Sequence, residues 1–320
     1  MALCKTAPHN SAMKRLLILL LAFGYGLSGP SAHGAEGGYC GDEGVWIQLL
    51  GAGGPELNDG QSGPSYLVWL NNQARLLVDT APGSSTQFDR AGAKFEDLDA
   101  IVFTHLRADQ TADFPSFVKG SQFAERGRPL TVLGPDGNDE YPDTETFIAR
   151  LIGPDGAYPN LADFLTYRSS GGYKINPRNV PATGRRRWSR FGTSNLRLAA
   201  IPVHHSNVPA IAWRVEIGGQ ILVFTGDFSN QKNIIPEFAE NADALVVSHA
   251  IPDTARGTLR ELYALPSQLG QIARQANARL LILGHRMNRT RGRESQSREA
   301  IEAHYQGALV FGNDLECWGL

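Results

Sequence analysis

Six side chains in this sequence are of the types that bind metal ions or move protons, and they recur at equivalent places. His105, His205, Asp227, His249 and His285 each stand at or just beyond the end of a short apolar run, and Asp109 follows His105 closely. Imidazole nitrogens and carboxylate oxygens are the donors Zn²⁺ takes in catalytic sites, where three protein ligands leave a position open for water. One histidine at a strand end is more often structural than a ligand. The same donor types at five such ends point to one site assembled from several strands.

Such a site needs a scaffold that delivers strand ends to a common edge. Val45 to Leu50 reads as a first strand, broken by the glycines and proline at 51–55, and 66–70 with 74–79 read as a hairpin turned by Asn71, Asn72 and Gln73. A helix is expected over 85–92. The apolar run Ala100 to Phe103 ends at Thr104 and His105, and a polar segment then leads into a helix over about 115–125 that carries Phe117, Val118 and Phe123. Further strands are expected at 130–133, 196–203, 211–217, 221–225, 244–248, 280–283 and 309–311, with helices near 267–275 and 297–305. Strands and helices mix in both halves, which predicts an α/β protein of two packed sheets flanked by helices. Its site belongs at the carboxyl ends of strands. Residues 136–195 are rich in Gly, Pro, Asn and Tyr, with one helical piece near 144–151, and read as an insertion or cover. Within them Arg185, Arg186, Arg187, Trp188 and Arg190 form a basic-aromatic cluster, a solvated loop or a hold for an anion. No internal repeat is visible.

The chain has 320 residues with Lys+Arg 30 against Asp+Glu 32, enough for one large domain with a substantial core. That near-neutral balance argues against a dedicated nucleic-acid binder. At the N-terminus Lys14 and Arg15 precede the apolar run Leu16 to Phe23, and small residues follow at Ala32, Gly34 and Ala35. This pattern predicts a signal peptide over 1–34 and a single mature domain over 35–320, placed in the periplasm or outside the cell. A membrane anchor is the alternative, although the apolar run is short for one. Removal of the signal discards Cys4 and leaves Cys40 and Cys317 near the two ends, to form one disulfide in an oxidising compartment or to stay as free thiols.

Thr104-His105-Leu106-Arg107-Ala108-Asp109-Gln110 resembles the His-x-His-x-Asp-His signature of the metallo-β-lactamase superfamily, with Arg107 and Gln110 where the signature has two more histidines. The stretch from His205 to Trp213 and Arg214 is similar to the third motif of its ribonuclease Z-like and arylsulfatase-like branches. Thr225-Gly226-Asp227 and Leu283-Gly284-His285 are similar to the later motifs. The resemblance spans residues 45–312 and implies an αββα sandwich with a two-zinc hydrolase ancestry. It also implies that Asp79 braces the metal loop from beneath. By the same resemblance, His105, His205 and Asp227 hold one metal, and Asp109, Asp227 and His285 a second, with Asp227 bridging. Arg107 cannot coordinate, because its guanidinium stays protonated and has only donors.

One Zn²⁺ is therefore expected rather than two. The alternative is no metal, with Arg107 paired to Asp109 and Asp227 and relieving their mutual repulsion. For a metal-loaded site the expected roles are Asp109 as general base, Arg107 as oxyanion stabiliser and His249 as proton donor. Arg286, Arg289, Arg291 and Arg293 read first as a solvated loop, with attraction of an anionic substrate as the alternative. The expected function is metal-dependent hydrolysis of a small ester, phosphoester or sulfate-type substrate by an exported protein. The alternative is a non-catalytic binding protein that has lost its metals. The expected partner is a small molecule, with no nucleic acid and no stable membrane insertion after signal cleavage; a homodimer is left open.

Overall fold

Alternation of side chains along the strands sets the layers of this molecule, as seen in a computed structural model that describes residues 40–166, 172–183, 188–193 and 196–320. In β1 (Val45–Gly51), Val45, Ile47 and Leu49 face one core and Leu50 faces another. The same two-residue period places Leu76 and Val78 of β3 (Gln73–Val78) opposite to Leu77. It returns in β9 (Ala210–Ile217), where Ile211, Trp213 and Val215 face inward and Ala212 outward.

Two seven-stranded sheets result. The first runs β14-β1-β2-β3-β4-β5-β6, with β2 (Ser65–Leu70), β4 (Ala100–Val102), β5 (Leu130–Pro135), β6 (Ile175–Val180) and β14 (Cys317–Gly319). The second runs β13-β12-β11-β10-β9-β8-β7, with β7 (Ser189–Gly192), β8 (Leu196–Val203), β10 (Gln220–Phe224), β11 (Ala244–Ser248), β12 (Leu280–Gly284) and β13 (Ala308–Phe311). In each sheet a run of antiparallel neighbours adjoins a run of parallel ones, so both are mixed. Their inner faces share one core, in which Leu76, Val78 and Val102 meet Trp213, Phe224 and Val246. The outer face of the first sheet packs on α1 (Ser84–Arg90), α3 (Phe114–Gly120) and α4 (Thr144–Ile152). The second packs on α5 (Ile235–Phe238), α7 (Pro266–Gln275) and α8 (Glu294–Glu302). Two shorter helices, α2 (Ala108–Thr111) and α6 (Leu259–Leu262), lie in the loops around the site. The expected αββα sandwich is the observed one.

The hairpin between β2 and β3 turns on Asn71 and Asn72, both at positive φ (49° and 59°), the backbone that a two-residue turn of matching twist requires. Several expectations need correction. The stretch 136–195 supplies α4 and two strands: β6 extends the first sheet beside β5, and β7 edges the second. Pro177 within β6 hid that strand from view, and the sheet tolerates it because β6 lies at the edge. Phe123 lies beyond the end of α3 in a 3₁₀ turn and is 85% exposed, whereas Phe117 and Val118 are buried as expected. Helix α8 begins three residues earlier than expected, and β14, which pairs with β1, was not anticipated. Cys40 and Cys317 are disulfide-bonded, tying the start of the described chain to β14. The expected signal peptide and Arg185, Arg186 and Arg187 lie outside the described residues. No helix among the described residues is long and apolar enough to cross a membrane.

Candidate metal centre

The loop after β4 is fixed before any ligand is considered. Asp79, buried at the end of β3, accepts the Thr104 backbone N–H at 2.7 Å through Oδ1 and the Thr104 hydroxyl at 2.8 Å through Oδ2. From the other sheet the Trp213 Nε1–H donates to the Phe103 carbonyl at 2.9 Å, and the Ile211 N–H donates to the Thr104 carbonyl at 2.9 Å. Gly226 explains the spacing of Thr225-Gly226-Asp227. Its φ is 57°, and a Cβ there would stand 2.6 Å from the Thr104 Cβ, so a side chain would push the two loops apart.

These loops bring five of the six candidate side chains together. His105, His205 and Asp227 form one group, and Asp109, Asp227 and His285 a second, with the candidate ligand atoms of each group all within 4.8 Å of one another. Asp227 belongs to both. The Nδ1 of each histidine is already engaged. In His205 it donates to the Leu262 carbonyl at 2.9 Å, and in His285 to Asp227 Oδ1 at 2.6 Å. In His105 it lies 3.3 Å from the Thr104 hydroxyl oxygen, which spends its own proton on Asp79. The protons are thus held on Nδ1, and the three Nε2 atoms present lone pairs.

Among the described residues those atoms have no hydrogen-bond partner. His105 Nε2, His205 Nε2, His285 Nε2, Asp109 Oδ2 and Asp227 Oδ2 are all buried and unbonded. A buried polar atom left unsatisfied costs roughly 1–3 kcal/mol, so five acceptors turned toward one place are explained by a ligand with no electrons to offer, a metal cation. Oxygen and imidazole nitrogen donors suit Zn²⁺ and related divalent ions. The residues present therefore fit the group that the sequence motifs imply.

Electrostatics agree with that fit. Burial pushes the His105 imidazole down to about 3, so the ring is neutral and its lone pair free. Burial works against the Asp227 carboxylate, but His285, His205 and His105 around it hold it well below the usual carboxylate range. Burial would lower His285 as well, but the Asp227 charge overrides this and raises it, so His285 holds a proton more readily than an ordinary imidazole and a metal ion would have to displace it. Ser248 adds a further bond, its hydroxyl donating to Asp227 Oδ1 at 2.7 Å.

Residues 58–269 match the metallo-beta-lactamase superfamily. The chain belongs to that superfamily. Among curated proteins it is similar to ribonuclease Z of Mycobacterium bovis, 27% identical over 282 residues that cover 84% of this chain and 96% of the relative. Among solved structures it resembles the metallo-beta-lactamase fold protein YhfI from Bacillus subtilis, with a TM-score of 0.67 at 21% identity over 86% of this chain and 98% of that one. It also resembles the short form of human tRNase Z, with a TM-score of 0.66 at 15% identity and the same coverage, 86% and 98%. These likenesses overturn the expectation that nucleic acid is excluded, because relatives named ribonuclease Z match along nearly the whole described chain. Net charge was the wrong measure. It sums the entire surface, whereas a phosphodiester is met by a few local cations and donors.

As a member of the metallo-β-lactamase superfamily, the chain differs at two motif positions, and the structure shows where they went. Arg107 precedes α2, and its Nε lies 3.3 Å from Asp109 Oδ1, with side-chain exposures of 39% and 9%. The expected pairing of Arg107 with Asp109 is present; Asp227 is instead paired with His285. Gln110 is buried, and its backbone carbonyl accepts the Thr80 N–H at 2.8 Å. His249 is not among the converging groups. Its Nε2 meets the Ser297 hydroxyl at 2.8 Å on α8, and its ring packs edge-on to Phe311. Of the basic residues after His285, Arg286 is held by Glu294, Asn313 and the Gly312 carbonyl, and Arg291 by the Asp59 carbonyl. Tyr263 was missed altogether. Its ring lies edge-on to His205 (5.6 Å) and His285 (6.0 Å), and burial followed by the Asp227 and Asp109 charges pushes its hydroxyl pKa up. No periodicity marks the stretch before α7, so only the folded chain reveals that contact.

Proposed function

We propose that this chain is a metal-dependent hydrolase of phosphodiester substrates, RNA among them, with one catalytic ion held by His105, His205 and Asp227. The observation that carries this reading is the convergence of five bare, buried donor atoms on two groups that share Asp227. Similarity to proteins named ribonuclease Z supports the phosphodiester class. The ion, when bound, supplies Lewis acidity that polarises a phosphoryl oxygen and makes water a nucleophile near neutral pH. Asp109 receives the proton of the attacking water at its bare Oδ2, while Arg107 on Oδ1 holds the carboxylate in position. The free N–H groups of Arg107 face developing charge on the non-bridging oxygens. Asp79 and Thr104 hold the His105 loop in place.

Export is part of the same proposal, supported by the Cys40–Cys317 disulfide, a bond of oxidising compartments. A mature N-terminus at Ala35 on secreted protein would check it. The reading as a metal-free binding protein draws on the Arg107–Asp109 contact alone. Elemental analysis of protein purified from its own compartment separates the two, because metal below about 0.2 ion per chain removes the hydrolase reading. Turnover of bis(p-nitrophenyl) phosphate completes the test, with Asp109→Asn expected to abolish it while metal stays on the first group.

A further inference from the structure

We infer that Tyr263 contacts the substrate directly, its hydroxyl donating a hydrogen bond to a non-bridging phosphoryl oxygen in a subsite completed by Arg107. This rests on the phosphodiester reading above and names the group that recognises the phosphate. Tyr263 is tied to the metal loop by its neighbours. The Leu262 carbonyl takes the His205 Nδ1–H at 2.9 Å, the Glu261 carbonyl takes the Ser206 N–H at 3.0 Å, and the Tyr263 N–H closes α6 on Leu259 at 3.0 Å. Any movement of this segment would shift His205, so the position of Tyr263 is set by the site itself.

The ring then borders both ligand groups, standing 5.6 Å from the His205 ring and 6.0 Å from the His285 ring at steep angles of 66° and 70°. Its apolar flank joins Ile251, Leu265 and Met287. The hydroxyl makes no hydrogen bond among the described residues, although Tyr263 is 5% exposed. The comparably buried Tyr173 and Tyr305 spend theirs on Ser121 and the Ala278 carbonyl. A largely buried phenol normally finds a partner for its O–H, and this one is left open to a partner from outside the chain, water or ligand.

Charge identifies that partner. Arg107 stands beside the same centre, its Nε 3.3 Å from Asp109 Oδ1. A guanidinium group and an O–H donor beside a candidate cation site match a tetrahedral oxyanion, which offers several acceptors at once. A neutral carbonyl would use one donor and leave a cation unmatched.

Binding of inorganic phosphate to the metal-free protein tests this without relying on turnover. Calorimetry at low salt is expected to show binding by the native chain and about tenfold weaker binding by Tyr263→Phe, the loss of one hydrogen bond to a charged acceptor. Tyr263→Phe keeps the ring contacts, so its zinc content should equal that of the native chain. Arg107→Ala should weaken phosphate binding and flatten its dependence on salt. In the native protein, phosphate should slow nitration of Tyr263 by tetranitromethane, read by peptide mass. Equal phosphate affinity in Tyr263→Phe, no phosphate binding by the native chain, or unchanged nitration would each overturn the subsite. Tyr263-dependent phosphate binding without turnover in zinc would uphold the subsite and discard the hydrolase reading.

Discussion

Asp227→Asn is the substitution whose outcome the geometry defines most tightly. Asp227 is the residue common to both ligand groups, so losing its charge affects both at once. Oδ1 accepts from Ser248 at 2.7 Å and from His285 Nδ1 at 2.6 Å, and an asparagine oxygen can keep both bonds. The amide nitrogen then replaces Oδ2, which stands 3.9 Å from His205 Nε2, and turns a donor into the metal position. Each retained bond loses its charge assistance, worth about 1 kcal/mol, so the metal-free variant should lose about 2 kcal/mol of stability. For a domain of this size that is roughly 5 °C in Tm. Metal affinity should fall far more. Altering a residue that only supports a ligand costs 10–100-fold, so removing a shared ligand should cost more than about 100-fold. Elemental analysis after dialysis against zinc, with thermal unfolding in zinc and in chelator, reads both effects. At zinc a hundred times its Kd, the native chain should gain about 2.7 kcal/mol from the ion, and the variant should gain nothing. Native metal content in Asp227→Asn would show that Asp227 is not the shared ligand. His105→Ala is the control, because it breaks the first group and leaves Asp109, Asp227 and His285 intact.

Replacing both departures, Arg107→His with Gln110→His, should raise zinc per chain above the native value; unchanged uptake would mean that more than these two positions limit the site. Cys40→Ser opens a loop spanning 277 positions. It should cost about 5 kcal/mol and roughly 10 °C or more of Tm, with reductant lowering the native chain to the same value. His249 gives a pH dependence of known sign. Burial, followed by the Arg286 charge, lowers its folded pKa to about 4, below the ordinary 6.5. On acidification the unfolded chain therefore binds the proton first. Its contribution is complete above pH 6.5 and is lost as pH falls toward 4, on the order of 2–3 kcal/mol. Denaturation series between pH 4.5 and 7.5 should show a flatter profile for His249→Gln than for the native chain; matching profiles would refute the assignment.

The layers were legible because long apolar strands such as β9 and β12 carry their own period, and β-branched residues with glycine mark their ends. What escaped was short or locally contradictory. A strand with an internal proline, β6, and the three-residue β14 hold their places by pairing with neighbours far away in sequence. The site showed the same division. Histidines and aspartates at strand ends announce themselves by type, and five of six do converge. His249 fails because consecutive residues at a strand end point to opposite faces. Ser248 reaches Asp227, so the next side chain turns toward Ser297 on α8. Tyr263 was invisible because nothing about an isolated tyrosine in a loop signals that two histidines lie against its ring.

Each ligand group draws on both sheets: His105 and Asp109 follow a strand of the first, and His205, Asp227 and His285 follow strands of the second. An ion bound there is therefore also a rivet between the halves of the sandwich, set at the rim where Ile211 and Trp213 already stitch β9 to the chain after β4. Neither half carries a complete ligand set on its own. For a bound ion, the energy of metal capture and the energy of closing one sheet on the other would be one quantity, and whatever loosened the seam would also loosen the grip on that ion.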